Sequence, residues 1–478
     1  MTYIPSTPKQ FNIQWYLTRY PDVAQYITAH SLSNDWAWEH YVTYGIWEKR
    51  EVLPFPDEAM FCADKYLIAY HDVAASPLYK DNPLQHFKDW GFAEGRNACP
   101  EVAPPQPEPQ PPMAREYLCG WGDPENLFYR SDRWQILDQI ITYGGNVIYL
   151  IVSCAHDGDT PDGNPFEGGN PNQGLSPSRA TDIKAFVEKM NAHGIWAYLF
   201  LYDDSSQPFG SHDIVTSAED QYIHQLVNLL GHIPRLIWCI GEEYSEAMNR
   251  ARASEIAKRL NAYDVGRHKI AIHQHSGTSF DFGDDKYIKE FCVQLIDADK
   301  NTLHTAMVNA VHEARGRYSI MLGESTEPGS SFEAYGMGGT MMRKNWACAM
   351  AGVDVMVYTR GRWGEDAGME NLDFKYLRNQ HTFLNMIPDY RQMVNMDYLK
   401  TGCTDYVMKN PTADSWLLLT SKTGALGAEG FSAGIYTISW FDCQTGAGVN
   451  EANTITQGQN LFIRPSGIGI DTVCYVRT

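Results

Sequence analysis

The chain has 478 residues, a formal net charge of −20, 44% hydrophobic and 20% charged residues. That balance is ordinary for a globular chain of two to four domains. No run approaches the ~20 apolar residues of a bilayer-crossing helix, so no membrane span is expected. The acidic surplus argues against a nucleic-acid partner, which needs clustered Lys and Arg, and suits a solvated protein with a neutral or carbohydrate target.

The ten cysteines are dispersed without a CxxC pair, which disfavours a zinc ribbon or a thioredoxin-type site. Cys62 and Cys99 bracket one segment and could pair; the others are expected to be mostly buried thiols. The opening stretch Met1 to Pro5 shows no charged-then-apolar leader, so no signal peptide is recognisable there.

Residues 1–100 hold an internal repeat. One copy reads Phe11, then Trp15-Tyr-Leu-Thr-Arg-Tyr-Pro-Asp-Val-Ala24 and His40-Tyr-Val-Thr-Tyr-Gly-Ile-Trp-Glu-Lys-Arg50. The other reads Phe61, then Lys65-Tyr-Leu-Ile-Ala-Tyr-His-Asp-Val-Ala74 and Asn82-Pro-Leu-Gln-His-Phe-Lys-Asp-Trp-Gly-Phe-Ala-Glu-Gly-Arg96. Tyr16 aligns with Tyr66, His40 with His86 and Gly45 with Gly91. Each copy is expected to form short helices that bury aromatics against the twin copy. The motif resembles the YLxxxPDVA and HYxxxGxxEGR repeats of bacterial surface and glycan-associated proteins, which implies a binding or anchoring module.

Residues 101–114 are so rich in proline that an extended linker is expected. From 115 to 388, eight short apolar runs (117–121, 146–152, 195–201, 236–240, 269–273, 291–295, 318–322 and 354–358) alternate with amphipathic stretches. Those stretches are 132–143, 178–193, 218–230, 247–261, 302–314 and 338–351. Eight strands in about this length predict an α/β fold, a (β/α)8 TIM barrel. A doubly wound open sheet is the alternative, but no GxGxxG follows the first run. Residues 389–478 change to short β-type runs split by Gly, Asn and Asp (405–409, 416–420, 434–441, 460–463 and 472–476), the pattern of a C-terminal antiparallel β-sandwich.

Two strand ends carry carboxylates. Arg235-Leu-Ile-Trp-Cys-Ile-Gly-Glu-Glu-Tyr244 is an apolar run closing on Glu242 and Glu243, and Tyr318-Ser-Ile-Met-Leu-Gly-Glu-Ser325 closes on Glu324. A barrel places its chemistry at such carboxyl ends. Glu243 and Glu324 are 81 residues apart over three β/α units, close to the ~31 residues per unit of a typical barrel. Paired carboxyl groups are what glycoside hydrolysis requires.

The Trp238-Cys-Ile-Gly-Glu-Glu243 segment resembles the W-x-x-G-(N/E)-E signature of retaining glycoside hydrolases of the large (β/α)8 clan, and Leu322-Gly-Glu324 resembles its strand-seven motif. Ile438-Ser-Trp-Phe-Asp-Cys-Gln-Thr-Gly446 is similar to a hairpin of the collagen-binding-type sandwich of agarase-like and apiosidase-like members. The resemblance spans residues 115–478. It implies Glu243 as acid/base and Glu324 as nucleophile in cleavage of a polysaccharide or oligosaccharide β-glycosidic bond. Glu242 stands where the clan usually has the asparagine that reads a sugar hydroxyl, and is expected to add negative charge beside Glu243.

Other strand-end residues expected to meet substrate are Asp203, His273, His275, Tyr358, Arg360 and Trp363, with Asp204 beside the first. The 157–164 loop has alternating oxygen ligands but lacks the distal glutamate of a calcium loop, and no metal or other cofactor is expected. The expected setting is extracellular or on a cell or virion surface, with attachment through residues 1–100, and the sandwich is expected to pack against the barrel's end. The competing reading is a non-catalytic glycan-binding or virion structural protein that retains the barrel.

Overall fold

The computed structural model describes the chain apart from residues 1–10, 31, 47, 53–60, 64–65, 68–69, 71–72, 74–75, 77, 93–95, 100–115, 123–126, 155–163, 205, 276, 296–298, 325–337 and 359–370. At 122, 143, 324, 338–341, 357–358, 371–374 and 459 only the backbone is described. Two compact units result, Met1–Gln110 and Pro111–Thr478.

In the first unit, one repeat copy forms the helices Ile13–Arg19, Pro21–Ala29 and Trp36–His40, the last running into a wider turn at Tyr41–Gly45. Asn12 accepts the Trp15 N–H at 2.8 Å and so caps the first helix. The second copy repeats the ending with Pro83–His86 and Phe87–Gly91. The expectation that the copies bury aromatics against each other is corrected. Among the described residues each copy closes its own core, one of Phe11, Tyr16, Val23, Ile27 and Tyr41, the other of Tyr66, Val73, Phe87 and Phe92.

The cause is a central tyrosine in each copy. Tyr16 Oη lies 3.2 Å from His40 Nδ1 and Tyr66 Oη 3.1 Å from His86 Nδ1, so both hydroxyls are satisfied within the copy. A Cβ at Gly45 would sit 2.5 Å from Tyr16 Oη, and one at Gly91 would run into Tyr66 Oη, which explains the repeated glycine. Gly45→Ala or Gly91→Ala should therefore cost about 1–3 kcal/mol by overpacking. Faster hydrogen exchange confined to the substituted copy would register it; unchanged exchange would refute the close-approach account. A Cys62–Cys99 disulfide closes the second copy, and the other eight cysteines form none.

In the second unit, β1 (Cys119–Gly122), β2 (Val147–Ser153), β3 (Trp196–Tyr202), β4 (Leu236–Gly241), β5 (Lys269–Gln274), β6 (Ile288–Gln294), β7 (Ser319–Glu324) and β8 (Asp354–Tyr358) form a closed parallel barrel in chain order. The barrel closes where Cys119 pairs with Val355. Both faces of the strands are apolar because both are covered. Tyr149, Ile151, Tyr198, Phe200, Cys239, Ala271, Cys292 and Met321 fill the interior, while the alternate residues pack under the helices.

β6 begins three residues before the run expected from the sequence, because Lys289 and Glu290 disguise its start. Glu290 is fully buried and is held by Lys269 Nζ at 2.9 Å and Ser319 Oγ at 2.6 Å, a polar plug at the amino end of the barrel. The helix Asn371–Asn385 was not foreseen; its run of Asn, Gln and Arg masks the apolar stripe.

The C-terminal strands are β9 (Val394–Asn395), β10 (Lys400–Gly402), β11 (Tyr406–Lys409), β12 (Ser415–Thr420), β13 (Leu426–Phe431), β14 (Gly434–Asp442), β15 (Gly448–Ile455), β16 (Gly458–Phe462) and β17 (Thr472–Arg477). They build an antiparallel six-stranded sheet, β15-β14-β17-β12-β11-β9, over a three-stranded one, β10-β13-β16. Trp416, Phe431, Tyr436, Trp440 and Phe462 lie in the core between them. β13 and β15 escaped the sequence reading because one is interrupted by glycines and the other is an exposed polar edge strand.

The sandwich packs on the barrel's helical flank rather than its end. Phe441 stacks on Phe383 at 4.6 Å, Tyr406 on His304 at 3.9 Å, and Arg343 forms a two-pronged ion pair with Asp471. The second apolar face of the six-stranded sheet needs such cover, which the helices Lys300–Ala314, Gly338–Ala349 and Asn371–Asn385 supply. No described helix is long and apolar enough to cross a membrane. Residues 157–163 of the loop weighed for calcium lie outside the described residues.

Candidate active site

β4 is buried along its whole length and ends at Gly241. Pairing with β3 runs one residue further, because the Glu242 N–H donates to Tyr202 O at 3.1 Å. The chain then turns sharply at Glu243, which adopts φ 35° and ψ 49°. A left-handed conformation at a non-glycine residue costs roughly 1–3 kcal/mol and persists only where neighbours impose it. Here the Glu243 N–H donates to His273 Nδ1 at 3.0 Å.

His273, on β5, has no exposed surface, and burial holds its pKa down at about 3. The imidazole is therefore neutral, with its proton on Nε2, because Nδ1 accepts. The Glu243 carboxylate is gripped as well. Gln294 Nε2, at the end of β6, donates to Oε1 at 2.7 Å, and His275 Nδ1 meets Oε2. A side chain that is only 13% exposed thus receives partners from two further strands.

Glu324 closes β7. Its backbone stands in register with Gln294, the residue that holds Glu243. The preceding Gly323 permits this approach: a Cβ there would strike Cys292 Sγ and lie 3.6 Å from the His273 ring. Both glutamates are thus placed on one rim, at the carboxyl ends of their strands. The side chains of Glu324 and Tyr358 lie outside the described residues, as do Arg360 and Trp363 entirely.

Asp203 follows β3 and is 2% exposed. Its N–H donates to Ser153 O at 3.0 Å, and its Oδ1 accepts the Asp204 N–H at 3.0 Å. The Asp203 charge acts on Glu242, which acts in turn on Tyr149 of β2. Burial first, then the Asp203 charge, raise Glu242 well above the usual carboxyl range. That shift favours the neutral acid at Glu242.

Two participants went unnoticed in the sequence, Gln294 and Tyr149. Gln294 carried a faint signal, since it ends an apolar run as Glu243 and Glu324 do. Tyr149 carried none, being one aromatic in an apolar strand; it stacks on Phe200 at 3.8 Å. Among the described residues, Glu243, Glu246 and His275 form the one grouping whose ligand-type atoms lie within 4.8 Å of one another. Since His275 is committed to Glu243 and two of the three are exposed, the grouping reads as a hydrogen-bonded pair with an acidic neighbour.

No family model matches the chain, and no curated protein does. Solved structures do. One is a candidate glycoside hydrolase from Bacteroides vulgatus ATCC 8482, with TM-score 0.56 and 14% identity over 76% of this chain and 79% of that one. A second, named simply a glycoside hydrolase, gives TM-score 0.55 and 14% identity over 75% and 91%. A third, a family 5 glycoside hydrolase from the same Bacteroides strain, gives 0.55 and 13% over 75% and 88%. At these identities the likeness is one of fold: the chain shares its barrel architecture with these structures.

Proposed function

We propose that this barrel, built as glycoside hydrolase barrels are, hydrolyses the β-glycosidic bond of a polysaccharide or oligosaccharide with net retention. Glu243 donates a proton to the departing oxygen while Glu324 attacks the anomeric carbon and forms a glycosyl-enzyme. Glu243 then takes a proton from the water that releases the sugar. The observation that carries this reading is Gln294, which hydrogen-bonds Glu243 and stands beside Glu324 in the sheet. Neighbouring strands are ~4.8 Å apart, so Gln294 holds the Glu243 carboxylate beside the strand whose backbone ends at Glu324.

In this reading His273 sits behind the acid/base and shapes its turn, His275 adjusts its carboxylate, and Glu242 reads a sugar hydroxyl. Tyr358, Arg360 and Trp363 are assigned to sugar binding in the same reading. The Cys62–Cys99 disulfide supports an extracellular or surface setting, since such bonds persist in oxidising compartments.

The test is trapping. A 2-deoxy-2-fluoro glycoside should label Glu324, and the first product anomer seen by NMR should keep the substrate's configuration. A label on another residue, or an inverted first product, would sink the mechanism.

A further inference from the structure

Glu243 holds its left-handed conformation directly after a strand, so the turn has to be held by its neighbours. Val265 and Arg315 share the conformation, but each follows a helix as its cap, where it is commonplace. On the amino side of the turn, His273 accepts the Glu243 N–H. On the carboxyl side the next residue, Tyr244, is anchored by its side chain. The Tyr244 hydroxyl donates to Asp281 Oδ2 at 2.5 Å, and its ring meets Phe282 edge-on at 4.9 Å. Burial pushes the Tyr244 hydroxyl up, so it keeps its proton and is the donor.

Asp281 lies between β5 and β6, 37 residues after Tyr244. Its own backbone is fixed from both sides. Phe280 and Phe282 flank it and are buried, and Phe280 stacks on Phe291 of β6 at 4.4 Å. Gln274, the last residue of β5, accepts the Asp281 N–H at 3.1 Å and donates to the Ser279 carbonyl at 2.7 Å. The carboxylate thus reaches Tyr244 from a pinned backbone, although Asp281 itself is exposed. Core packing leaves this contact unexplained, since a phenylalanine at 244 would fill the same space.

We infer that Asp281 is a positioning residue for the candidate acid/base: by holding Tyr244 it fixes the carboxyl side of the Glu243 turn, as His273 fixes the amino side. The two holds act on different bonds. The hydrogen bond to His273 orients the peptide before Glu243, and the Tyr244 side chain orients the peptide after it. With both set, the direction in which the Glu243 side chain leaves the backbone is set too, and its carboxylate is delivered to Gln294 and His275. Released on one side, the residue relaxes toward ordinary backbone angles and carries the carboxyl away from the sugar oxygen. A misplacement of about 1 Å costs about 10²-fold in rate. That bearing on catalysis rests on the glycosidase reading; the hold on the turn does not.

Two measurements on the full chain test this. The amides of residues 242, 243 and 246–248 are hydrogen-bonded around the turn, so their hydrogen exchange reports it. Exchange there should quicken in Asp281→Ala and in Tyr244→Phe, with the other barrel strands unchanged. On a confirmed glycoside both variants should lose about 10²-fold in kcat with KM little altered. Asp281→Asn should keep wild-type exchange and most of the rate, because its amide oxygen still accepts the hydroxyl. Unchanged exchange or a wild-type kcat in Asp281→Ala, or an Asp281→Asn variant as impaired as Asp281→Ala, overturns the inference. If Tyr244→Phe fails to fold, Asp281→Ala decides, since position 281 is exposed and its truncation leaves the core intact. An inert wild type would end the glycosidase reading, and the exchange result would still decide whether Asp281 holds the turn.

Discussion

Glu243→Gln is expected to lower kcat/KM on a natural glycoside by about 10²–10⁴-fold, the usual worth of a positioned general acid. The variant keeps its shape and can still accept the hydrogen bond from Gln294, so the loss reports the missing proton rather than a collapsed turn. The loss should depend on the leaving group. A sugar oxygen departs only if protonated, whereas an activated aryl oxide departs without help. Rates of the first step on activated aryl glycosides should thus fall far less than rates on the natural glycan. The second step, which needs Glu243 as base, should become limiting there and be accelerated by an external anion such as azide. Glu324→Gln should behave otherwise, losing activity with every leaving group because the bond-forming carboxylate is gone. Steady-state and burst kinetics on a panel of leaving groups separate the two roles. Full activity of Glu243→Gln on a confirmed substrate, or equal losses across the panel, would refute the assignment.

What the sequence revealed of this site follows from what a strand end looks like in one dimension. Glu243 and Glu324 were legible because each closes a short apolar run, and runs of that kind mark the covered strands of a parallel barrel. Glu242 was legible as a residue but not as a chemical state. Burial raises its carboxyl most and the charge of Asp203, 39 positions earlier, adds to that rise, and only the pairing of Tyr202 with Gly241 brings the two together. Gln294 was hidden for a related reason: a glutamine gains meaning from the glutamates on either side of it, on β4 and β7. The repeats teach the same lesson in miniature. Their aromatics were visible, but whether Tyr16 turned to its own copy or to the twin depended on His40 closing over it.

Arg252→Met is expected to destabilise the second unit by about 3–5 kcal/mol, a large share of the 5–15 kcal/mol that holds a typical domain together. Arg252, on the helix Arg250–Asp264, pairs with Glu219, on the helix Ser217–Leu230, at 2.8 Å, and neither side chain has any exposed surface. Tyr202 Oη donates to the same Glu219 oxygen at 2.8 Å, while Arg252 also donates to the Ser211 carbonyl. Removing the guanidinium leaves a carboxylate without its counter-charge in a site that water does not reach, and that desolvation sets the cost. The double variant Arg252→Met with Glu219→Leu should recover most of the loss, since an apolar pair of similar volume replaces an ionic one whose net worth is small. Denaturant titration of the unfolding transition measures both. If Arg252→Met alone falls within about 1 kcal/mol of the parent, the ion pair does not bear on stability in this way. The chemistry should feel the single substitution too. Tyr202 holds Glu219 through its hydroxyl and receives the Glu242 N–H through its carbonyl, so a disturbed Glu219 reaches the β4 rim through one residue. The single variant should therefore lose catalytic rate at temperatures where it is still folded, and the double variant should regain it.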